Sequence, residues 1–346
     1  MTVVKAIRLH AFGPAENLVY EEVPDPVVGS GTVLVEVEAA GVHLVDTMIR
    51  AGTNDDSPIP VPSLPTVPGR EVAGRVSAVG PDVDPSWIGK RVVVHLGMVP
   101  GGYAERAVAK VESLYELADH VEAAQAVAAI GTGRTTAGIL NQAHLTADDV
   151  VLVTSAAGGI GSYLIQSARN AGATAVGLAG GPQNVEIVRS LGAQHAIDYR
   201  DPDWPTLLKA ELGDREITLL LDGVGGPNGQ QAFNLLGTGG RALMFGWSGG
   251  GPIEFTHEDL MTRGLTAGWA IGAKLTRHLR ALESAALEET TTGRWKALTT
   301  TFPLSEAAAA HKALETRATT GKVVLLTRGS HTSTAHPTPP DQLRPA

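Results

Sequence analysis

Apolar positions in the first 125 residues recur at the two-residue spacing of β-strands. The runs Lys5–His10, Thr32–Ala39, Val72–Val79 and Arg91–His95 alternate with polar positions or are rich in β-branched residues. Proline- and glycine-rich joints separate these runs, as in the segment 58–68. Many short strands with turns between them predict a β-barrel or sandwich.

From about residue 126 the pattern changes to short apolar runs that alternate with helical segments. The predicted strands are Val150–Thr154, Ala175–Leu178, Ala196–Asp198, Ile217–Asp222 and Arg241–Gly246. The predicted helices between them are Ser162–Ala171, Asn184–Leu191, Trp204–Leu212 and Asn228–Leu236. This alternation predicts an α/β fold with a doubly wound parallel sheet.

The C-terminal part contains a predicted helix Leu275–Glu289, a helix Ser305–Arg317 and a strand Lys322–Thr327. We expect residues 1–125, completed by 275–328, to form one domain and residues 126–274 to form the second. The tail 329–346 is rich in Thr, Pro and His and has no apolar period, so we expect it to be disordered.

One stretch combines a buried strand with a glycine turn. The strand at Val150 runs into Ser155-Ala156-Ala157-Gly158-Gly159-Ile160-Gly161, and a predicted helix follows. This strand–turn–helix order holds a dinucleotide pyrophosphate on backbone N–H groups. The glycine set is Gly158, Gly159 and Gly161, and Ala156 stands where the usual fingerprint begins with glycine. A turn that serves packing alone is the alternative.

Charge and composition narrow the range of partners. The chain has 346 residues and a net charge of −9, which argues against nucleic acid or an anionic membrane as the main partner. No apolar run reaches membrane-spanning length, and Met1 to Lys5 lack the layout of a signal peptide. Cysteine is absent, which excludes disulfides and cysteine-ligated metals. We expect a cytoplasmic protein.

Several short motifs recur in an order and spacing that resemble a known family. They are Gly41-Val42-His43-Leu44-Val45-Asp46, Pro68-Gly69-Arg70-Glu71-Val72-Ala73-Gly74, Gly101-Gly102-Tyr103-Ala104-Glu105, Ala156 to Gly161, Asp222-Gly223-Val224-Gly225-Gly226 and Thr320-Gly321-Lys322-Val323-Val324. Over residues 3–327 the chain resembles the quinone oxidoreductase (zeta-crystallin-like) branch of the medium-chain dehydrogenase/reductase superfamily. The resemblance implies a GroES-like β-barrel domain, a Rossmann domain, NADPH as hydride donor and, frequently, a homodimer.

The same superfamily includes zinc alcohol dehydrogenases, which carry Cys at the position of His43 and Gly-His-Glu at the position of Gly69-Arg70-Glu71. Arg70 is permanently cationic and cannot ligate a metal. His43 and Glu71 could form a residual site, but single His and Glu residues near a barrel are more often hydrogen-bonded structural groups. We expect no zinc.

The cofactor preference depends on the end of the second predicted strand of the α/β part. An NAD-specific site commonly has a carboxylate there, but the strand ends at Gly180 and no acid appears before Glu186. The lysine that the family usually supplies is Asn184 here. A family tyrosine matches Tyr199, and Arg200 follows it, either as a phosphate contact or as a solvated loop charge. We expect NADPH to be preferred, but modestly.

The resemblance also implies which other residues border the nicotinamide. Trp247 lies among them, although it could equally be ordinary cover for the sheet end. The implied set is Thr136, Val224, Phe245, Gly246, Trp247 and Lys322.

Candidate catalytic residues lie in the first domain. A quinone or conjugated ketone that accepts hydride develops charge on oxygen, and a nearby donor assists. His43, Asp46 and Asn54 are the candidates, and relatives commonly carry Asn and Tyr where His43 and Asn54 stand. His43 either donates a proton or caps a strand end, Asp46 orients a neighbour, and Arg70 pairs with a carboxylate or steers an anionic substrate.

The leading hypothesis is an NADPH-dependent reductase of quinones. Reduction of an activated C=C bond in enones, alkenals or enoyl thioesters by the same fold is the alternative. A cofactor-binding protein without significant turnover is a third possibility.

Overall fold

The computed structural model describes residues 2–52 and 61–327. Its strands are β1 (Val3–Leu9), β2 (Leu18–Pro24), β3 (Thr32–Val42), β4 (Glu71–Val79), β5 (Arg91–His95), β6 (Arg106–Lys110), β7 (Tyr115–Glu116), β8 (Val150–Val153), β9 (Thr174–Ala179), β10 (His195–Asp198), β11 (Ile217–Asp222), β12 (Leu236–Met244), β13 (Thr266–Trp269), β14 (Thr299–Pro303) and β15 (Lys322–Leu326). Its α-helices are α1 (Leu44–Ala51), α2 (Ala123–Ala128), α3 (Arg134–Ala143), α4 (Gly159–Asn170), α5 (Pro182–Ser190), α6 (Trp204–Leu212), α7 (Gly226–Asn234), α8 (His257–Met261), α9 (Ala273–Thr276), α10 (Leu279–Thr291) and α11 (Ala307–Glu315). A π-helical turn, Ala129–Gly133, joins α2 to α3.

The N-terminal strands form a mainly antiparallel sheet. The strand order is β14-β15-β3-β4-β5-β7, with β6 also paired to β3, and β1 and β2 form a separate antiparallel pair. The alternating valines of β3, β4 and β5 point into a core with Tyr103 and the first residues of α11. Alternation with period two therefore buries one face of each strand, as the sequence pattern predicts.

The second sheet has six parallel strands in the order β10-β9-β8-β11-β12-β13. The predicted fold class, a GroES-like β domain with a Rossmann domain, is confirmed. β8 is buried along its whole length, as a strand covered on both faces must be. The strand order reverses between β8 and β11, and ligands of such sheets bind beyond the carboxyl ends of the strands at this reversal.

Some element bounds differ from those predicted. The last predicted strand of the α/β part, Arg241–Gly246, begins at Leu236 and ends at Met244. The predicted helix Leu275–Glu289 is two helices, α9 and α10. The α2–π–α3 segment is not predicted, because residues 126–133 are all buried and this part shows no alternation of buried and exposed positions.

The C-terminal residues contact both sheets. β14 and β15 extend the first sheet through β3. α10 instead packs on α3, where Leu282 and Ala286 share a core with Tyr163 and Trp295. The division of the chain at residues 125, 274 and 328 stays a prediction.

Candidate active site

The turn after β8 has the backbone shape of an anion-binding turn. Ser155 adopts a left-handed conformation, with φ of +52°, which is strained for a residue with a side chain. The turn then enters α4, whose N-cap is Gly158. No side chain caps α4 and its first turn holds no acidic residue, so the first N–H groups of the helix are open to an anion.

The glycines of this turn have two different uses. A Cβ on Gly161 would lie 2.2 Å from the carbonyl oxygen of Ser155, so Gly161 lets α4 pack against the turn. A Cβ on Gly158 would meet only oxygens of Ser155, at 3.1 Å, and one on Gly159 would meet the methyl group of Thr132 at 3.1 Å. Gly158, Gly159 and Ile160 are half-exposed. The turn therefore fits a dinucleotide pyrophosphate.

A polar cluster surrounds the end of β9. A Cβ on Gly180 would lie 2.5 Å from the Tyr199 hydroxyl, and one on Gly181 would lie 2.7 Å from Arg200 Nη1. Both side chains therefore lie over this glycine pair. Asp198 Oδ1 accepts the backbone N–H groups of Gly181 and Arg200, each at 2.9 Å. Arg200 is exposed, and its guanidinium has no hydrogen-bond acceptor within residues 2–52 and 61–327.

Asn184 contacts the same cluster, but both ends of its amide are bonded. Its Nδ2 donates to the Gly180 carbonyl at 3.0 Å, and its Oδ1 accepts from Thr320 Oγ1 at 3.1 Å. Arg200, rather than Asn184, therefore presents unused donors at the end of β9.

The loop after β11 is fixed by a buried carboxylate. Asp222 accepts from the Thr154 hydroxyl at 2.7 Å and from the backbone N–H groups of Val224 and Gly225 at 3.1 and 2.9 Å. Burial raises the pKa of Asp222, and these donors oppose that rise. The carboxylate thus ties the turn after β8 to the loop that contains Val224.

The loop after β12 packs tightly on the loop after β11. A Cβ on Gly223 would lie 2.4 Å from the Phe245 ring, and one on Gly246 would lie 2.6 Å from the Gly223 carbonyl oxygen. Trp247 is 53% exposed, and its ring lies 4.9 Å from that of Trp269. Trp247 therefore packs beside Trp269, the last residue of β13, and leaves about half of its surface exposed.

The structure does not place the Thr136 side chain against the glycine turn. Thr136 is fully buried, and its hydroxyl donates to the Thr132 carbonyl at 2.9 Å. Thr132, one helical turn earlier, is the threonine that contacts Gly159.

One segment before β15 contacts three parts of the site, namely the loop after β12, Asn184 near the end of β9, and the turn after β8. Arg317 donates to the Ser248 carbonyl at 2.6 Å, and Thr320 bonds Asn184. The Gly321 N–H donates to the Ala157 carbonyl at 2.9 Å. Residues 317–321 therefore bring the first sheet up to the glycine turn.

A buried cluster of charges lies directly beyond this segment. Glu71 is fully buried at the start of β4. Its Oε1 lies 2.5 Å from His43 Nε2 and 3.9 Å from His95 Nε2, and its Oε2 lies 3.0 Å from Lys322 Nζ. Burial raises the pKa of Glu71, but His43 and Lys322 outweigh burial and hold it well below its ordinary value. Glu71 is therefore an anion shared by three nitrogen groups.

A second group of polar side chains, centred on Asp46, contacts the start of α1 beside His43. Asp46 Oδ2 accepts the His43 backbone N–H at 2.8 Å and the Tyr103 hydroxyl at 3.3 Å, and Arg70 pairs with Oδ1 at 3.3 Å. The Tyr103 hydroxyl also lies 3.3 Å from His311 Nε2. Asp46 orients its neighbours, and Arg70 pairs with it.

One predicted catalytic residue lies outside the described residues, and three residues of the polar clusters are not predicted. Asn54 lies outside the described residues. Tyr103, His95 and His311 were given no role, although Tyr103 sits in one of the recurring motifs. The histidines lack paired spacing, so only the sheet pairing of Glu71 with His95 brings His95 to the cluster.

Comparisons with known proteins agree with this architecture. Residues 29–119 match the model of the alcohol dehydrogenase GroES-like domain, and residues 159–286 match that of zinc-binding dehydrogenases. Quinone oxidoreductase of Sus scrofa is 34% identical over 331 residues, covering 94% of this chain and 98% of that protein. The chain belongs to the quinone oxidoreductase branch of the medium-chain dehydrogenase/reductases.

Two further members of this oxidoreductase superfamily bear on the chemistry. A 2-haloacrylate reductase of Burkholderia is 31% identical and covers 94% of this chain and 99% of that protein. The structure of Escherichia coli quinone oxidoreductase complexed with NADPH superposes with a TM-score of 0.80 at 27% identity, covering 93% of this chain and 99% of that one. Across the described ranges, this oxidoreductase contains no helix that could cross a membrane.

Proposed function

We propose that this oxidoreductase transfers hydride from NADPH to a quinone. The observation that carries the proposal is the position of His43, a half-buried acid–base group held against Glu71. The cluster that holds His43 is joined through Lys322 and Gly321 to the glycine turn. The NADPH complex of the Escherichia coli relative supports the cofactor assignment.

The chain would hold the dinucleotide at the start of α4 and over Gly180, and the bound nicotinamide would supply the hydride. His43 then assists by donating to the oxygen on which charge develops. Asp46 holds the backbone of His43 in place. Phe245 and the loop it packs against lie at the carboxyl ends of β11 and β12, where they border the nicotinamide side of the cleft.

Reduction of a conjugated C=C bond is the second candidate. It is supported by the similarity to a 2-haloacrylate reductase and by Arg70, which lines an apolar pocket with Leu9, Ile49 and Met98. Asp46, the partner of Arg70, lines the same pocket, so the pocket has a polar end at which a carbonyl group could accept a hydrogen bond from Arg70.

Turnover with NADPH against matched quinones and enones separates these functions. The proposal predicts the highest kcat/KM with a quinone. A preference for enones or 2-haloacrylates would favour the second candidate. Tight NADPH binding with no turnover of either class would identify a binding protein and contradict both.

NADPH should be preferred over NADH, because among the described residues Asp198 is the one carboxylate bonded to the glycine pair at the end of β9, and its Oδ1 is occupied by two backbone N–H groups. Arg200→Gln should lower kcat/KM for NADPH about ten- to a hundredfold, since a charge-assisted hydrogen bond contributes about 1.5–3 kcal/mol. NADH should be little affected. Steady-state kinetics with both cofactors measure this.

Two variants complete the test of cofactor preference. Arg189→Gln removes an arginine that pairs with Glu186 on α5, and it should change neither cofactor. Asn184→Lys adds a charge beside Arg200 and should improve NADPH selectively. A parent that prefers NADH, or equal improvement of both cofactors by Asn184→Lys, would contradict this placement of the 2′-phosphate.

We also propose that the enzyme needs no zinc. Arg70 pairs with Asp46, and within the described ranges no group of three or more His, Asp or Glu side chains is placed to hold a metal ion. Purified protein should contain no stoichiometric zinc by elemental analysis and should keep its activity in chelator. About one zinc per chain, with activity lost to chelator, would contradict this.

The homodimer implied by the family also remains a proposal. β13 is an edge strand of the parallel sheet, and Trp269 on it is 41% exposed. The nearby Met261 is 83% exposed. An open edge with apolar side chains beside it suits pairing with a second copy of the chain.

A further inference from the structure

The Glu71 carboxylate occupies a space that the fold leaves open for it. A Cβ on Gly131, in the π-helical turn, would lie 1.5 Å from Glu71 Oε1, and one on Gly41 would lie 2.4 Å from Oε2. Two glycines from distant parts of the chain therefore make room for this side chain. π-Helical turns occur often at functional sites, and this one encloses a carboxylate.

The three nitrogen groups around Glu71 are not equivalent. His95 accepts the Gly97 N–H on its Nδ1 at 3.0 Å, and burial together with Arg134 lowers the pKa of His95 to about 3. His95 is therefore neutral near pH 7. The side chain of His43 is 24% exposed, although its Nε2, which faces Glu71, is buried, so any proton exchange with solvent must involve the rest of the ring.

Lys322 is the buried lysine that pairs with Glu71 in the cluster. Its side chain is 4% exposed, and its Nζ lies 3.0 Å from Glu71 Oε2. Burial lowers the pKa of Lys322, while Glu71 opposes that shift. Its backbone N–H is bonded to the Leu298 carbonyl at 2.8 Å, so the ammonium group is anchored on β15 beside the cofactor turn.

We propose that Glu71 is a positioning residue for His43, directing the imidazole for proton transfer through its contact with Nε2, and that Lys322 anchors this carboxylate. The inference rests on the proposed reductase function. In the reaction the acceptor gains a hydride and one proton. The N–H bond of the His43 imidazolium breaks, an O–H bond forms on the reduced acceptor, and the neutral ring regains its proton from solvent.

The charges that face His43 act in opposite directions. Glu71 on β4 and Asp46 on α1 favour the imidazolium, whereas Lys322 on β15 and Arg70, just before β4, oppose it. The neutral His95 on β5 contributes no charge. Removing Glu71 and removing Lys322 should therefore shift the titration of His43 in opposite senses.

NMR titration of the histidine ring in the cofactor-free full chain tests this directly. Glu71→Gln should move the His43 titration midpoint down by about one pH unit or more, and Lys322→Gln should move it up. In the double variant Glu71→Gln/Lys322→Gln neither member of the buried ion pair is left without its partner, and His43 should still titrate at a lower pH than in the parent. Glu283→Gln, which removes a carboxylate paired with Arg134, is the matched control and should leave His43 unchanged.

Kinetics give the second readout. Glu71→Gln should lower kcat at pH values above the His43 titration midpoint, by up to about tenfold, because a one-unit shift reduces the protonated fraction of His43 by that factor only there. Its kcat–pH profile should shift to lower pH, while the Kd for NADPH stays unchanged. An unmoved His43 titration in Glu71→Gln, the same shift in Glu283→Gln, or a moved titration with an unchanged kcat–pH profile would each overturn the proposal. Absence of turnover in the parent would instead contradict the proposed function, while the NMR titration would still report whether Glu71 acts on His43.

Discussion

Gly158→Val should weaken NADPH binding by about a hundredfold or more, because its branched side chain would stand where the pyrophosphate meets the first N–H groups of α4, and losing two charge-assisted bonds has that effect. The fold should survive. A Cβ at this position meets only Ser155 oxygens at 3.1 Å, and Gly158 has extended backbone torsions that any residue adopts. Fluorescence titration of NADPH measures the loss.

Gly161 behaves differently, and this difference sharpens the test. A Cβ there would lie 2.2 Å from the Ser155 carbonyl oxygen and 2.8 Å from the Ala156 Cα, so Gly161→Val should lower Tm as well as binding. Gly29→Val is the matched control, since a Cβ on Gly29 meets nothing within 4 Å. If Gly158→Val bound NADPH as tightly as the parent, the pyrophosphate would not lie at this turn.

The glycine turn is predictable from sequence because its determinants are local. A buried strand, a turn free of bulky side chains and an amphipathic helix lie within about twenty consecutive residues, and each has its own period or composition. The same holds for the alternation that gives the parallel sheet. The contacts of the turn with Thr132 and Gly321 are not predictable from sequence, because these two residues come from distant segments of the chain.

The charge cluster depends on long-range geometry that sequence patterns do not contain. Lys322 reaches Glu71 only because β15 pairs with β3, and His95 does so because β5 pairs with β4. The π-helical turn between α2 and α3 also meets the cluster from a distant segment, because its Gly131 leaves the space that the Glu71 carboxylate occupies. The role of Asp46, in contrast, is predictable, since a carboxylate three residues after a helix N-cap commonly bonds the N-cap N–H.

His43→Ala should lower kcat on the order of a hundredfold, the usual effect of one missing donor at a developing oxyanion. NADPH affinity should stay unchanged, because His43 is not among the residues proposed to hold the dinucleotide, which are those of the glycine turn and Arg200. The fold should also survive, since Glu71 keeps Lys322 as its partner at 3.0 Å. Steady-state kinetics across pH and NADPH titration measure the two effects separately.

The choice of replacement decides between the catalytic and structural interpretations of His43. His43→Asn keeps a donor at the position where relatives commonly carry Asn, so it should recover part of kcat but lose the pH dependence that the imidazole gives. His10→Ala, at an exposed histidine paired with Glu21, should match the parent. An unchanged rate and pH profile in His43→Ala would return His43 to a purely structural role, because a strand-end group has no reason to affect proton transfer. An equal loss of Tm and of kcat in His43→Ala and His43→Asn would also indicate a structural role. If His43 is a catalytic donor, the two variants should instead have similar stability and different rates.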